Sequence, residues 1–485
     1  MLGASLNKAF YHPDPSLQTS WNLTQLGLLV FPLSPFLGAV GLGFAVLLTW
    51  LQQSSIINRR PLNWGFALLS VLLIITAGFA HNKTEAFLGL FNFLPFFLVF
   101  VGLSALIQTP AQLRQMAWIL VIGSLPVAIM GLGQLFLGWT LKLQFLWIVL
   151  EWAIALGGEP PGRMASIFMH ANSFAAYLVI VFTLGLGLWL ENYQQLRVKG
   201  SHCVGRVSRL KASGVQESRV ATALGGSADL FAQRLREEKQ VAFKRQNFLP
   251  LPFLFLTVAE IVNFIALIFT NSRNGWAIAI FACLAYAFYQ GWRILVGSVV
   301  GIVSSVLLAA FAPSPVAQFF RQIVPTFFWA RLNDDMYPDR PVALMRKTQW
   351  EFAWSLTQQH PWTGWGLRSF TTLYKTQMQI RLGHPHNLFL MLSAETGFPS
   401  TFLFCGLLGW ILIAGFQLLR KSKYIDKQDR LIFFSYLLVF VGWLLFNTVD
   451  ITLFDFRLNM LSWLLLAAIC GVVYHYDKNN RLVDH

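Results

Sequence analysis

Two imidazoles, an amide and a carboxylate lie close together in His384-Pro385-His386-Asn387-Leu388 and Glu395, where a long polar stretch re-enters an apolar one. Ionisable groups at such a boundary are costly to keep and point to function. An imidazole titrates near neutral pH, so His386 could take a proton from a hydroxyl as a general base. The plainer alternative is a structural histidine capping the helix that follows. Asn387 could serve as that helix's N-cap or contact a substrate. The residue before a proline is biased to extended backbone, which predicts that His384 and His386 face different directions and do not form a metal pair. Glu395 falls two helical turns further on, where a buried partnership with arginine or backbone is expected rather than acid–base work.

Arginines form the second set. Arg163 stands at the entry to an apolar stretch, and Arg273 sits in the tight turn Thr270-Asn271-Ser272-Arg273-Asn274-Gly275. Arg321, Arg331, Arg340, Arg346, Arg368 and Arg381 lie in one long loop. A guanidinium is permanently charged and forks onto phosphate oxygens. Several of them at a bilayer surface make an anion site, for which a lipid phosphate or diphosphate is the natural ligand. The alternative is that each pairs with a nearby carboxylate or helix C-terminus.

The rest of the chain must position these groups. Of its 485 residues 56 % are hydrophobic and 12 % charged, with a mean hydropathy of +0.56, against about 25 % charged in soluble domains. This predicts an all-α polytopic integral membrane protein. Apolar stretches fall near 62–80, 86–107, 116–138, 166–190, 248–269, 275–291, 294–312, 388–419, 431–449 and 457–476. Residues 22–52, broken at Pro32-Leu33-Ser34-Pro35, read as a hairpin of two more. The total is about twelve spans at about 20 residues each. No cleavable signal peptide is expected. Three regions follow: helices over 1–312 with a basic insertion at 191–247, a large exoplasmic loop domain at 313–385, and helices over 386–485.

The net charge of +15 reflects topology rather than nucleic acid. Most Lys and Arg fall on the side holding Arg59, Arg60, Arg114, Arg293, the insertion and both termini, which the positive-inside rule makes cytoplasmic. The insertion reads as a partly disordered loop with a short amphipathic helix near 230–243, touching anionic headgroups. Cys203, Cys283, Cys405 and Cys470 are scattered singly, so neither disulfide nor zinc site is expected. No phosphate-cradling glycine loop and no nucleotide-sugar motif is present in the sequence.

Gly364-Trp365-Gly366-Leu367-Arg368, then His386-Asn387 and Glu395-Thr396-Gly397, resemble the signature of the O-antigen ligase and Wzy polymerase superfamily. Gly162-Arg163-Met164-Ala165-Ser166-Ile167-Phe168 through Asn172, and Ser272-Arg273-Asn274-Gly275, resemble two further blocks of it. The resemblance covers roughly 160–190 and 255–410. It implies an inner-membrane glycosyltransferase that needs no metal or other cofactor and works at the periplasmic face. Its donor would be a polyprenyl-diphosphate-linked glycan and its acceptor a lipid- or glycan-linked sugar, with membrane lipids as surroundings. Carried over to this chain, Arg163 and Arg273 would hold the diphosphate and His386 would activate or orient the acceptor hydroxyl, with Arg346, Arg368 and Asn387 as further binding residues. Ligase and repeat-unit polymerase share the signature. A related cyanobacterial branch implies a third reading, a bicarbonate or small-anion transporter, which would need a path through mid-membrane. Glu260 and Glu395 are the carboxylates expected inside spans.

Overall fold

The chain is almost wholly helical in its computed structural model, which describes residues 10–145, 150–168, 170–223, 250–333, 341–421 and 425–483. In lipid the backbone must satisfy its own hydrogen bonds, and a helix does so within one segment. The helices are α1 (Gln18–Val30), α2 (Pro35–Asn58), α3 (Pro61–Gly78), α4 (Lys83–Leu90), α5 (Leu94–Leu106), α6 (Pro110–Phe136), α7 (Ala171–Ala223), α8 (Leu251–Phe269) and α9 (Arg273–Tyr289). They continue as α10 (Arg293–Phe311), α11 (Ser314–Ile323), α12 (Thr326–Leu332), α13 (Arg346–Gln359), α14 (Ser369–Met378), α15 (Leu388–Arg420), α16 (Lys427–Asn447) and α17 (Phe456–Val483).

Among the described residues ten helical segments are long and apolar enough to cross a membrane, with Lys83–Leu106 counted as one. The other two spans of the expected twelve are α1, with 13 residues, and α9, with 17. At about 1.5 Å per residue α1 reaches roughly 20 Å and α9 about 25 Å, against a hydrocarbon core of about 30 Å. Small residues let α1 lie close along α2: a Cβ at Gly27 would come within 3.0 Å of the Gly38 carbonyl oxygen.

Polar N-caps and prolines fix where helices begin. Ser34, Asn82, Ser272 and Asn387 each cap with a side-chain oxygen, and Thr109 with Gln112 forms a capping box ahead of α6; such caps satisfy first-turn N–H groups that lipid cannot. The membrane-crossing parts of α7 and α17 are the most buried, 83 % of each apolar window lying inside the protein. Around α17, Trp463 meets Phe66, Phe97 and Phe100 edge-on at ring separations of 5.5, 5.0 and 6.0 Å, a preferred aromatic geometry. The loop region between α10 and α15 carries its own small core of Phe352, Leu356, Phe370 and Tyr374.

Three features depart from the sequence expectations. Strands β1 (Leu141–Phe145) and β2 (Leu150–Ile154) form an antiparallel hairpin between α6 and α7, where only helices are expected. The stretch 166–190 begins as a 3-10 turn, Ser166–Phe168, and becomes α-helix at Ala171. The insertion at 191–247 starts as a continuation of α7, helical to Ala223, because extending an existing helix is far easier than nucleating one. The helix expected near 230–243 lies outside the described residues.

Helix α15, with 33 residues, would run about 50 Å if straight, but it breaks at Gly397, where φ is 74°. That left-handed conformation favours glycine, and a Cβ there would lie 2.5 Å from the Trp362 carbonyl carbon. The break seats the loop before α14: Phe398 N donates to Pro361 O, and Trp365 N and Gly366 N donate to Ala394 O and Glu395 O. Glu395 accepts a bond of 3.2 Å from Phe370 N, so its partner is backbone.

Candidate functional site

Loops that precede and follow the spans meet on one face of the bundle. The first is a glycine-rich turn, in which Arg163 N donates to Pro160 O and Gly162 N to Gly157 O. Gly158 has φ 91°, and a Cβ there would collide with the Arg163 carbonyl oxygen at 1.9 Å. The turn is held to the end of α8 by Met164 N donating to Phe269 O. It is held to α6 by Gln134 Oε1, which accepts from Ala165 N and Ser166 N at 3.2 and 2.8 Å.

From that seat Arg163 extends into a chain of four polar side chains. Its Nε donates to Thr270 O at 2.9 Å and its Nη2 to Asn172 Oδ1 at 2.6 Å. Asn172 Nδ2 donates to Asp450 Oδ2 at 2.9 Å, and Asp450 Oδ1 lies 3.0 Å from His386 Nδ1. An ionised carboxylate can only accept, so Nδ1 carries the hydrogen, and in the neutral ring this leaves the lone pair on Nε2. The Asp450 side chain is 8 % exposed and that of His386 29 %. Burial pushes the Asp450 carboxyl up, yet its bonds and charge contacts with His386, the His384 imidazole and the Ile451 N–H bring it below its ordinary value.

His384 corrects an expectation. Its ring lies 4.5 Å from that of His386, edge to face, and its Nδ1 accepts from His386 N at 3.2 Å. The backbone at His386 is left-handed, φ 53°, rather than extended, and this folds the two imidazoles together. Donor atoms of His384, His386 and Asp450 all lie within 4.8 Å of one another, a set that could hold a divalent ion. A metal there would compete with the bond between His386 Nδ1 and Asp450 Oδ1.

Burial first, then the neighbouring His386, push the His384 imidazole down to about 4. Its ordinary value is 6.5, so between about 6.5 and 4 the unfolded chain binds a proton that the folded protein does not. The stability this neutral histidine supports is complete above about pH 6.5 and is lost as pH falls toward 4. Wild-type protein should therefore lose Tm over that window and His384→Asn should lose less; equal slopes would refute it.

The other anticipated residues are placed as follows. Asn387 caps α15 through Leu390 N at 3.0 Å and donates to Thr448 O at 3.0 Å, which ties the His386 turn to the Asp450 loop. Arg273 opens α9, three residues after Thr270, the acceptor of Arg163. Arg346 opens α13, and its charge reaches His384. Arg368 pairs with Glu85 at 3.2 Å, and Arg321 donates to Ala309 O at 2.8 Å. Arg381 is exposed, and the side chains of Arg331 and Arg340 lie outside the described residues.

Four residues that sequence reasoning passed over belong to the same neighbourhood. Asp450 joins His386 to Asn172. His170 is within electrostatic reach of Arg163, Asp450 and His386, and desolvation first and Arg163 second hold its imidazole low. Ser173 bonds Asp455, so consecutive residues at the start of α7 hold two carboxylates of one loop, where the helix N-terminus favours negative charge. Arg457 lies over the Phe168 ring at 4.9 Å.

A polytopic helical membrane protein with arginine, histidine and carboxylate gathered on one face is the class defined so far. Residues 258–405 match the family model described as O-antigen ligase. This match makes that segment similar to the O-antigen ligase family and supports the O-antigen ligase and Wzy superfamily for the chain. The matched segment holds Arg273, Arg346, Arg368, His386 and Asn387; Arg163, Asn172 and Asp450 flank it in sequence and reach it in space. No curated protein matches the chain in sequence.

Proposed function

We propose that the protein is an integral membrane glycosyltransferase of the ligase type, which moves a glycan from a polyprenyl-diphosphate carrier to an acceptor sugar hydroxyl at the exoplasmic face. The observation that carries this reading is the chain Arg163–Asn172–Asp450–His386, which fixes a guanidinium and an imidazole from distant segments in one network. His386 Nε2 takes the proton as the acceptor oxygen bonds to the anomeric carbon. The bond from that carbon to the diphosphate oxygen breaks, and the departing diphosphate takes the electron pair. Arg163 and Arg273, with Arg346 nearby, offset the charge that grows on its oxygens, and such preorganised electrostatics form the largest catalytic effect in many enzymes. Asp450 is a positioning residue that holds the productive tautomer.

The orientation rests on charge. Arg59, Arg60, Arg114, Arg293, Arg420 and Arg430 lie at helix ends opposite the site, which favours that side as cytoplasmic and the site as periplasmic, in the plasma membrane. Against transport, Glu260 is the one carboxylate at mid-span among the described residues. It finds no hydrogen-bond partner there, and a Cβ at Gly185 would sit 1.8 Å from its Oε1.

Asp450→Asn in purified protein tests the reading. The amide keeps the shape but no longer selects the tautomer, so kcat for transfer from a lipid-linked donor should fall at least about 100-fold, the lower end for loss of general-base catalysis, while the donor KM holds. Full activity in this variant, or a rise in KM alone, would remove the imidazole from the mechanism. A repeat-unit polymerase uses the same steps; supplying acceptor and repeat unit separately shows which product forms.

A further inference from the structure

Helix α10 stands at the edge of the bundle. Only 11 % of its apolar window is buried, the smallest share among the ten spans, and Ile302, Leu307, Leu308 and Phe311 all face outward. Three residues beyond its end α11 begins, and its apolar side chains Val316, Phe319, Phe320 and Ile323 follow the i, i+3, i+4, i+7 spacing of one helix face. Val316, Phe319 and Ile323 are 43, 58 and 66 % exposed, and Phe327 and Phe328 of α12 are 48 and 51 %. Ser314, Gln318 and Gln322, on the other side of α11, are exposed as well. A water-soluble cap would not leave three large apolar groups of α11 open on one side and its polar groups on the other, with Phe327 and Phe328 of α12 exposed as well.

The orientation of α11 is fixed. Arg321 donates back to Ala309 O of α10 at 2.8 Å, and its guanidinium lies 4.1 Å over the Trp329 ring of α12. Ala317 is buried at 3 %, forming the packed side. Pro313, Pro315 and Pro325 stand at the two corners, where a fixed φ and a missing N–H suit helix starts.

We propose that α11 and α12 lie in the plane of the membrane, with Val316, Phe319, Ile323, Phe327 and Phe328 embedded in the lipid leaflet on the site face. Proximity selects lipid as the occupant, because the exposed apolar surface of α10 reaches Phe311, three residues before α11 begins. Composition agrees. No acidic residue occurs between Pro313 and Leu332, while Arg321 and Trp329 are types that favour the headgroup boundary. Amphipathic helices of this kind sink their apolar face about 5–10 Å into the acyl boundary. The lipid contact is independent of the transfer reaction and stands or falls without it.

The test places single spin labels at Phe319→Cys, Ile323→Cys, Gln318→Cys and Gln322→Cys, with the four native cysteines replaced by serine. The protein is held in nanodiscs of phosphatidylethanolamine and phosphatidylglycerol. Labels at 319 and 323 should relax faster with oxygen, which partitions into lipid, and labels at 318 and 322 with a water-soluble nickel chelate. Nickel access at 319 and 323 equal to that at 318 and 322 would overturn the proposal. So would shielding of 319 and 323 from both probes, which would mean that protein, such as a second copy, covers the face. Should the cysteine replacements impair folding, the unaltered chain is photolabelled with a phosphatidylcholine carrying a diazirine in its acyl chain. Label in the peptide covering 314–332 supports the lipid contact, and its absence there with label on α10 refutes it.

Discussion

His386→Ala is expected to lower kcat for glycan transfer by about 100- to 10,000-fold, the range for loss of a general base, with little change in affinity for the lipid-linked donor. The His386 turn has three ties: Asp450 at the ring Nδ1, the backbone link from His386 N to His384, and the Asn387 cap beside it. Alanine leaves the last two ties in place. Single-turnover transfer by purified protein in nanodiscs measures the loss. A purely structural role would instead appear as reduced Tm with kcat kept by the folded fraction.

Arg163→Ala is expected to cost about 100- to 1,000-fold in kcat/KM, in the range for removing one preorganised donor from a transition state. Two effects add: the charge disappears, and the anchors on Thr270 and Asn172 go with it, which loosens Asp450 and so His386. Arg163→Lys separates them, because lysine restores the charge but not the fork that bonds two oxygens at once. A lysine variant that recovers donor binding without recovering kcat would match this division of roles. Wild-type turnover by both variants would exclude Arg163 from the site.

The side chains proposed to hold the anion and take the proton stand out in the sequence because each is an ionisable group at an apolar boundary, as Arg163, Arg273 and His386 are. Asp450 does not stand out. It sits alone in a short turn between two spans, with no spacing to separate it from a solvated loop residue, and its meaning comes from tertiary contact with Asn172 and His386. Arg368 pairs with Glu85, a contact across 283 residues that one dimension does not show. His384 was misdirected because the bias before Pro385 is local, whereas the left-handed turn at His386 reverses the chain one residue later. The helical class was plain from hydropathy, but the β hairpin at 141–154 was hidden in a long apolar background.

Asp450 closes a network by bonding His386 and Asn172, 64 and 278 residues earlier in the chain, with Arg163 bonded to Asn172. Synthesis runs from the N-terminus, so a nascent polypeptide released before the turn between α16 and α17 has passed the bilayer holds both the arginine and the histidine but cannot align them. Alignment of the proposed site thus arrives only with α16 and α17, and a product terminated before them would hold its arginine and histidine unaligned.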